Sequence, residues 1–173
     1  MRRHTVCLAI ALVVAGTSRA QAATGKAVIA PTHKGSTLSG TAMFSEGPSG
    51  VQMTVRVQGA PPGQHGIHIH EHGACEDEGK AAGGHFNPDN TPHGFLPTDG
   101  PAKAHAGDTG NLIVNADGTG TLQLFVPGLT LATGPHAIAG KAVILHANPD
   151  DFSQPAGNAG ARIGCGVIEV TQP

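Results

Sequence analysis

Residues 111–126 read NLIVNADGTGTLQLFV, and this stretch decides the fold class. β-Branched and apolar residues recur through Asn111–Asn115 and Thr119–Val126, and Asp117-Gly118 between them is typical of a tight hairpin turn. Six further runs have the same character: Lys26–Ala30, Thr37–Phe44, Val51–Gln58, Gly66–His70, Ala142–His146 and Cys165–Thr171. Eight short strands with turn signals, and no helical periodicity after the N-terminal segment, predict an antiparallel β-sandwich or barrel.

The N-terminal segment predicts a cleaved export signal over residues 1–22. A positive start at Arg2 and Arg3 precedes a short apolar run, Val6–Ala15, and AQA at 20–22 supplies the small residues that a signal peptidase recognises. The apolar run is too short to span a bilayer as a permanent helix, so we expect no stable membrane insertion. The expected mature chain is a single domain, residues 23–173, in the periplasm or outside the cell.

The charge of the chain argues against a nucleic-acid partner. The formal net charge is −2 with histidines neutral, and the three arginines of the leader have no acidic counterpart there, so the mature chain carries −5. Nucleic-acid binding depends on positive charge that neutralises phosphates. Tryptophan and tyrosine are also absent, which removes the common stacking surface of single-strand binders.

The cysteines predict one disulfide. Cys7 lies in the leader, which leaves Cys75 and Cys165 in the mature chain. An even pair in an exported protein most simply forms a disulfide, because the compartment permits it. The alternative is two free thiols that act as soft metal ligands, and the lack of a CxxC pair argues against it.

Two stretches, 72–108 and 147–161, lack any strand or helix pattern. A structureless loop as long as the first is rare in a compact domain and requires either disorder or a function. Cys75 lies near its start, and metal-binding side chains follow along it. We therefore expect an ordered loop that is held by the disulfide and by metal.

Seven side chains able to bind transition metals lie between positions 68 and 146: His68, His70, His85, His93, His105, Asp108 and His146. Residues i and i+2 of a strand project from one face, so His68 and His70 can reach the same ion. His146 ends another predicted strand. Imidazole suits copper and zinc alike, and three imidazoles with one carboxylate suit a closed zinc site.

His85 has a special place in this set. Three histidines of the strands and three groups of the loop leave each of two sites one ligand short of four. A bound cation eases loss of the second ring proton, so His85 could bridge two ions as an imidazolate. The count makes a bridge possible and does not require it.

Four segments together resemble copper/zinc superoxide dismutase of the secreted bacterial type: HGIHIHE at 65–71, GHFNP at 84–88, GDTGN at 107–111 and GNAGARIGCGVI at 157–168. The resemblance covers nearly all of the mature chain in order. It implies an eight-stranded antiparallel Greek-key β-barrel with long metal-binding and electrostatic loops. It also implies copper and zinc as cofactors, the small anion superoxide as substrate, and conversion of two superoxide anions to dioxygen and hydrogen peroxide by cycling between Cu(II) and Cu(I).

The resemblance further assigns the site residues. It implies copper ligands at His68, His70, His85 and His146, and zinc ligands at His85, His93, His105 and Asp108. Arg162 and His85 are the implied catalytic residues, with Arg162 holding the anion. Asp150 is the implied carboxylate that links a copper histidine to a zinc histidine. The chain departs from the family in its 147–161 stretch, which has no lysine or arginine, so anion steering is expected to be weak.

Three other functions remain open at this stage. The first is a non-catalytic copper-delivery or metal-storage protein on the same barrel, which would not need Arg162 or a complete copper set. The second is a copper-only variant, which His93, His105 and Asp108 together argue against. The third is a β-sandwich that uses zinc only for stability. The oligomeric state cannot be read from the sequence, and a homodimer is an open expectation.

Overall fold

The computed structural model describes residues 22–171, and the predicted leader lies outside them except for Ala22. Within this range the chain forms nine β-strands and two short helical turns. The strands are β1 Thr24–Pro31, β2 Ser39–Gly47, β3 Gly50–Gln58, β4 Gly63–His70, β5 Asp108–Val114, β6 Gly120–Pro127, β7 Ala142–His146, β8 Arg162–Val167 and β9 Glu169–Thr171. The turns are a 3-10 helix, Lys80–Ala82, and α1, Leu96–Asp99.

The strands close into an antiparallel barrel. Their order is β2-β3-β6-β5-β4-β7-β8-β1, and β1 pairs again with β2, which closes eight strands on themselves. The chain crosses between strands that are not neighbours at β3 to β4 and at β6 to β7, because β3 pairs with β6 and β4 pairs with β5 and β7. The predicted all-β fold, an eight-stranded antiparallel barrel, is confirmed. Closure also removes unpaired sheet edges.

Alternation of side chains fills the barrel. In β3, Val51, Met53, Val55 and Val57 are buried, and the residues between them face outward. Successive strand residues point to opposite faces, so this period of two places every second residue in the core. Burying each such side chain contributes roughly 1.5–3 kcal/mol. The predicted hairpin is present, with Asp117 Oδ1 accepting from the Thr119 backbone N–H at 2.9 Å.

The last predicted strand, Cys165–Thr171, is observed as two strands. β8 ends at Val167 and β9 begins at Glu169, with Ile168 between them. Ile168 exchanges backbone hydrogen bonds with the 140–141 turn instead, donating to Lys141 O and accepting from Gly140 N–H, both at 2.8 Å. The strand prediction missed this interruption because the competing partner is distant in sequence.

Strand β7 and the part of β4 from His65 to His70 are buried on both faces, and this positions the site. Ile67 and Ile69 of β4 point into the barrel, and His68 and His70 point outward beneath the long connection. All five residues of β7 are buried. A second, smaller apolar cluster lies under the connection, formed by Ala82, Ala142, Ile144 and Cys165. The outer face of the barrel at β4 and β7 is therefore shielded from water.

The connection 71–107, which we call the β4–β5 loop, is ordered by more than a disulfide. The predicted Cys75–Cys165 bond is present. Phe86 N–H donates to Ile69 O at 2.8 Å, and Ile69 N–H donates to Gly107 O at 3.0 Å. The loop also contributes Phe86, Leu96, Ala104 and Ala106 to the main core. The barrel core therefore orders the loop together with the disulfide, through single apolar residues that show no periodicity in the sequence.

Candidate metal centre

The seven predicted ligands converge into two adjacent groups. His68, His70, His85 and His146 form one group, and His85, His93, His105 and Asp108 form the other. Within each group the potential ligand atoms lie within 4.8 Å of one another. His85 belongs to both. The barrel supplies His68, His70 and His146, the β4–β5 loop supplies His85, His93 and His105, and Asp108 begins β5.

Backbone carbonyls orient the rings of the first group. His70 Nδ1 donates to Gly83 O at 3.0 Å, and His146 Nδ1 donates to Gly160 O at 3.3 Å. Each ring therefore presents Nε2 to the interior of the group, where the two Nε2 atoms lie 3.4 Å apart. Because a ligating histidine usually donates its other ring N–H to a carbonyl or carboxylate, this arrangement is suited to a metal.

His68 gives the clearest test of fit to a metal. Its Nε2 lies 2.8 Å from Asp150 Oδ2, and its Nδ1 is buried without any hydrogen-bond partner. Burial lowers the pKa of His68 to about 4, so the ring is neutral at pH 7. A neutral imidazole with a free lone pair among other histidine nitrogens is a metal ligand. Without a metal, this buried nitrogen would have no partner to offset the free energy lost on removing it from water.

Asp108 is the centre of the second group. Its Oδ1 lies 2.8 Å from His85 Nδ1 and 3.1 Å from His105 Nδ1. Its Oδ2 lies 2.9 Å from His93 Nδ1, a contact without hydrogen-bond alignment. Burial alone would raise the pKa of Asp108, but the histidines hold it far below its usual value. Three imidazole nitrogens thus surround an ionised carboxylate, a donor set that fits zinc.

Asp150 links the two groups. Its Oδ1 lies 2.9 Å from His93 Nε2, and its Oδ2 lies 2.8 Å from His68 Nε2. Asn111 fixes its backbone by donating from Nδ2 to Asp150 O at 2.9 Å and accepting from Asp150 N–H at 2.7 Å. Burial alone would lower the pKa of His93, but the nearby carboxylates of Asp108 and Asp150 raise it to about 9.

His85 lies between the groups. Its ring centroid is 4.1 Å from that of His68 and 5.2 Å from that of His93. Because Nδ1 faces Asp108, Nε2 is the nitrogen left for the first group. The ring is therefore positioned to contact both groups, one with each nitrogen.

A cavity of about 360 Å³ opens at the first group. Its lining comprises His70, Gly84, His85, His146, Pro155, Ala156, Asn158, Ala159, Gly160 and Arg162. Two backbone carbonyls hold the guanidinium of Arg162, which donates from one terminal nitrogen to Gly79 O and from the other to Gly83 O, both at 2.6 Å. Within the described chain this lining includes no carboxylate. The cavity is therefore suited to a small anion.

Sequence reasoning did not identify several groups that position these side chains. The carbonyls of Gly79 and Gly83 have no sequence signature, because every residue carries a carbonyl. Asn111 stands in one of the four motifs, but nothing in its spacing assigns it a partner. Among the other histidines, His65 is buried and bridges Pro61 O and His146 O, each at 2.8 Å, as a structural contact. His72 is exposed.

Comparison with known families agrees with this geometry. The sequence model of the family described as copper/zinc superoxide dismutase matches residues 38–168. The chain belongs to the copper/zinc superoxide dismutase family. This membership accounts for the two histidine groups together, since one suits copper and the other suits zinc.

Two relatives of this superoxide dismutase illustrate the similarity. A protein named superoxide dismutase [Cu-Zn] 2 from Brassica juncea is 42% identical over 139 residues, which is 76% of this chain and 89% of that protein. The crystal structure of the clock protein EA4 superposes with a TM-score of 0.74 at 33% identity. That match covers 91% of this chain and 99% of the other.

Proposed function

We propose that the chain dismutates superoxide at the cavity between Arg162 and the first histidine group. Two superoxide anions and two protons give one dioxygen and one hydrogen peroxide, so one anion is oxidised and the other reduced. His68, His70, His85 and His146 would hold copper, which would supply the one-electron redox change, and His85, His93, His105 and Asp108 would hold zinc, which would add fixed positive charge beside His85. The observation that carries the proposal is that Arg162 lines one cavity together with His70, His85 and His146 of the first group.

Arg162 binds and orients the anion. Its guanidinium is anchored by two carbonyls, so its remaining N–H groups can donate charge-assisted hydrogen bonds to a small anion in the cavity. Anchoring before binding reduces the entropy lost on binding. A copper-delivery protein would not need a fixed guanidinium at this position.

His85 holds and transfers a proton. Its Nδ1 lies 2.8 Å from Asp108 Oδ1, which leaves Nε2 as the ring atom that can take up and hold a proton. That proton then lies at the cavity, where peroxide formation consumes it. The Asp150 carboxylate keeps the neighbouring rings of His68 and His93 in a single orientation throughout.

Metal analysis combined with a superoxide-decay assay tests this function. The purified protein, reconstituted with both metals, is expected to hold equal amounts of copper and zinc and to accelerate superoxide decay. Copper and zinc binding without faster decay would instead indicate delivery or storage. Zinc binding alone, with no activity after copper addition, would indicate a structural zinc protein.

We further propose that the chain is the secreted bacterial type, exported and cleaved near Ala22 to leave residues 23–173 as its single domain. The positive start, the apolar run and the AQA sequence at 20–22 support this. None of the helices in residues 22–171 has the length and apolarity to cross a membrane. N-terminal sequencing of the protein recovered from an exporting host is expected to begin near Ala23, and an intact Met1 terminus would contradict export with cleavage.

A further inference from the structure

The β7–β8 loop, residues 147–161, forms one wall of the cavity. Pro155, Ala156, Asn158, Ala159 and Gly160 line it from this loop. The segment is internally braced, since Gly157 N–H donates to Ser153 O at 2.8 Å and Asp151 N–H donates to Gly157 O at 2.9 Å. The segment from Asp151 to Gly157 should therefore move as a unit, and what holds it determines the shape of the cavity.

Gln154 attaches this wall to the main chain of His93. Its Oε1 accepts from His93 N–H at 3.0 Å, and its Nε2 donates to His93 O at 2.8 Å. One side-chain amide therefore pairs with both polar backbone groups of a single residue 61 positions away. Because one of these bonds accepts and the other donates, together they fix both the distance and the orientation of the Gln154 amide relative to the His93 backbone.

This attachment is separate from the one that Asp150 provides. Asp150 contacts the His93 ring, and Gln154 contacts the His93 backbone. Gly157 closes over the Asp150 contact so tightly that an added Cβ would lie 1.7 Å from Asp150 Oδ1. The loop is thus fixed at Asp150 by the carboxylate and at Gln154 by the amide, and only the amide lies directly beside the residues that line the cavity.

We propose that Gln154 is a positioning residue that couples the cavity wall to the second histidine group. A zinc ion bound at His93 would restrict the motion of that residue, and the two hydrogen bonds of the amide would in turn restrict the motion of residues 155–160. The inference rests on the ligand set of the proposed function. Gln154 contacts only the backbone of His93 and none of the potential ligand atoms, so its removal should leave metal binding intact while releasing the wall.

Hydrogen–deuterium exchange with and without zinc tests the coupling. In the wild-type protein, one equivalent of zinc added to the metal-free form is expected to slow exchange in both 91–95 and 155–160. In Gln154→Ala the slowing should persist at 91–95, but at 155–160 it should be smaller by roughly tenfold or more, as the loss of two hydrogen bonds implies. Gln154→Glu keeps the size and loses the donor to His93 O, so it should resemble Gln154→Ala.

The controls separate this inference from the proposed function. Gln123→Ala, on the exposed face of β6, should behave as wild type in both segments. Equal zinc-linked slowing at 155–160 in wild type and Gln154→Ala would overturn the coupling, as would wild-type behaviour of Gln154→Glu. Failure of the wild-type protein to bind zinc at all would instead overturn the assigned ligands.

Discussion

At the scale of the residue, Arg162 shows how backbone carbonyls hold a side chain in the position that anion binding requires. Its guanidinium is half-buried and tied to the carbonyls of Gly79 and Gly83. The two bonds use one N–H of each terminal nitrogen and leave the other N–H groups for an anion. The sequence identified the residue, but the two carbonyls that aim it are a property of the folded loop.

Arg162→Ala is expected to lower kcat/KM for superoxide by about tenfold to a hundredfold, because the anion loses a charge-assisted partner. Copper and zinc content should not change, since Arg162 belongs to neither ligand group. Arg162→Lys should be intermediate, because an ammonium keeps the charge without the two-carbonyl anchor. Arg56→Ala, exposed on β3, is the matched control, and an Arg162→Ala enzyme as fast as this control would contradict the assigned role.

The histidine pKa values predict how pH affects the metal-free protein. Burial lowers the pKa of His68 to about 4 and that of His146 to about 3, from an ordinary 6.5. Below pH 6.5 the unfolded chain binds protons at these histidines, whereas the buried rings of the folded chain stay neutral. The free energy of unfolding therefore decreases as the pH falls toward 4. His93, whose pKa is raised to about 9, contributes stability that is lost as the pH rises from 6.5 to 9.

The free energy of unfolding of the metal-free protein should therefore be greatest near pH 6.5, given these opposite shifts. Urea denaturation after chelation, at pH values from acid to alkaline, measures it. His93→Gln should remove the alkaline decline and keep the acid one. A stability that rises steadily from neutral to alkaline pH in the wild-type protein would contradict the assignment.

At the scale of the element, the β4–β5 loop holds the site together. It is fastened by the disulfide, by backbone bonds to β4 and by four core residues. The 3-10 helix Lys80–Ala82 and α1 Leu96–Asp99 were not predicted, because each is a single turn fixed by local contacts. In α1, Pro97 suits the first turn and Leu96 is buried in the core. Such turns depend on the barrel beneath them.

Cys75→Ala removes the disulfide and leaves the Cys165 side chain in its apolar cluster. The free energy of unfolding should fall by about 2–4 kcal/mol, since a long loop is no longer closed in the unfolded chain. The activity should fall severalfold as well, because Cys75 O accepts from Gly79 N–H at 3.1 Å and Gly79 O anchors Arg162. Chemical denaturation and the superoxide assay measure the two effects. Unchanged activity would mean that the loop positions Gly79 without the disulfide.

At the scale of the whole molecule, the charge distribution gives little long-range attraction for an anion. The net charge is −2, and the β7–β8 loop contains no lysine or arginine. The Nζ of Lys80 in the β4–β5 loop lies 3.6 Å from Asp77 Oδ1 and 3.7 Å from Glu78 Oε2. Its charge is therefore partly offset at the surface, and Arg162 is the main cation at the cavity.

We expect kcat/KM to fall less than about threefold between low and physiological ionic strength. Salt screens mainly the attraction by exposed charges, and this chain offers an anion few unpaired ones near the cavity. Stopped-flow or pulse-radiolysis measurements across a salt series determine this slope. Lys80→Ala combined with Lys103→Ala should change it little. A steep slope that this double variant abolishes would place the steering field in the β4–β5 loop instead.

The sequence by itself predicted the eight strands of the barrel and the candidate metal ligands, but not the break between β8 and β9. Alternation is local, so each strand was visible in its own residues, and imidazole and carboxylate chemistry identified the metal-binding set. Tertiary structure alone decided which nitrogen of each ring faces inward, which two histidines Asp150 joins, and that Gln154 pairs with the His93 backbone. These contacts join residues far apart in the chain, and several use backbone groups that every residue possesses. Only the closed barrel and the loops packed on it bring them together.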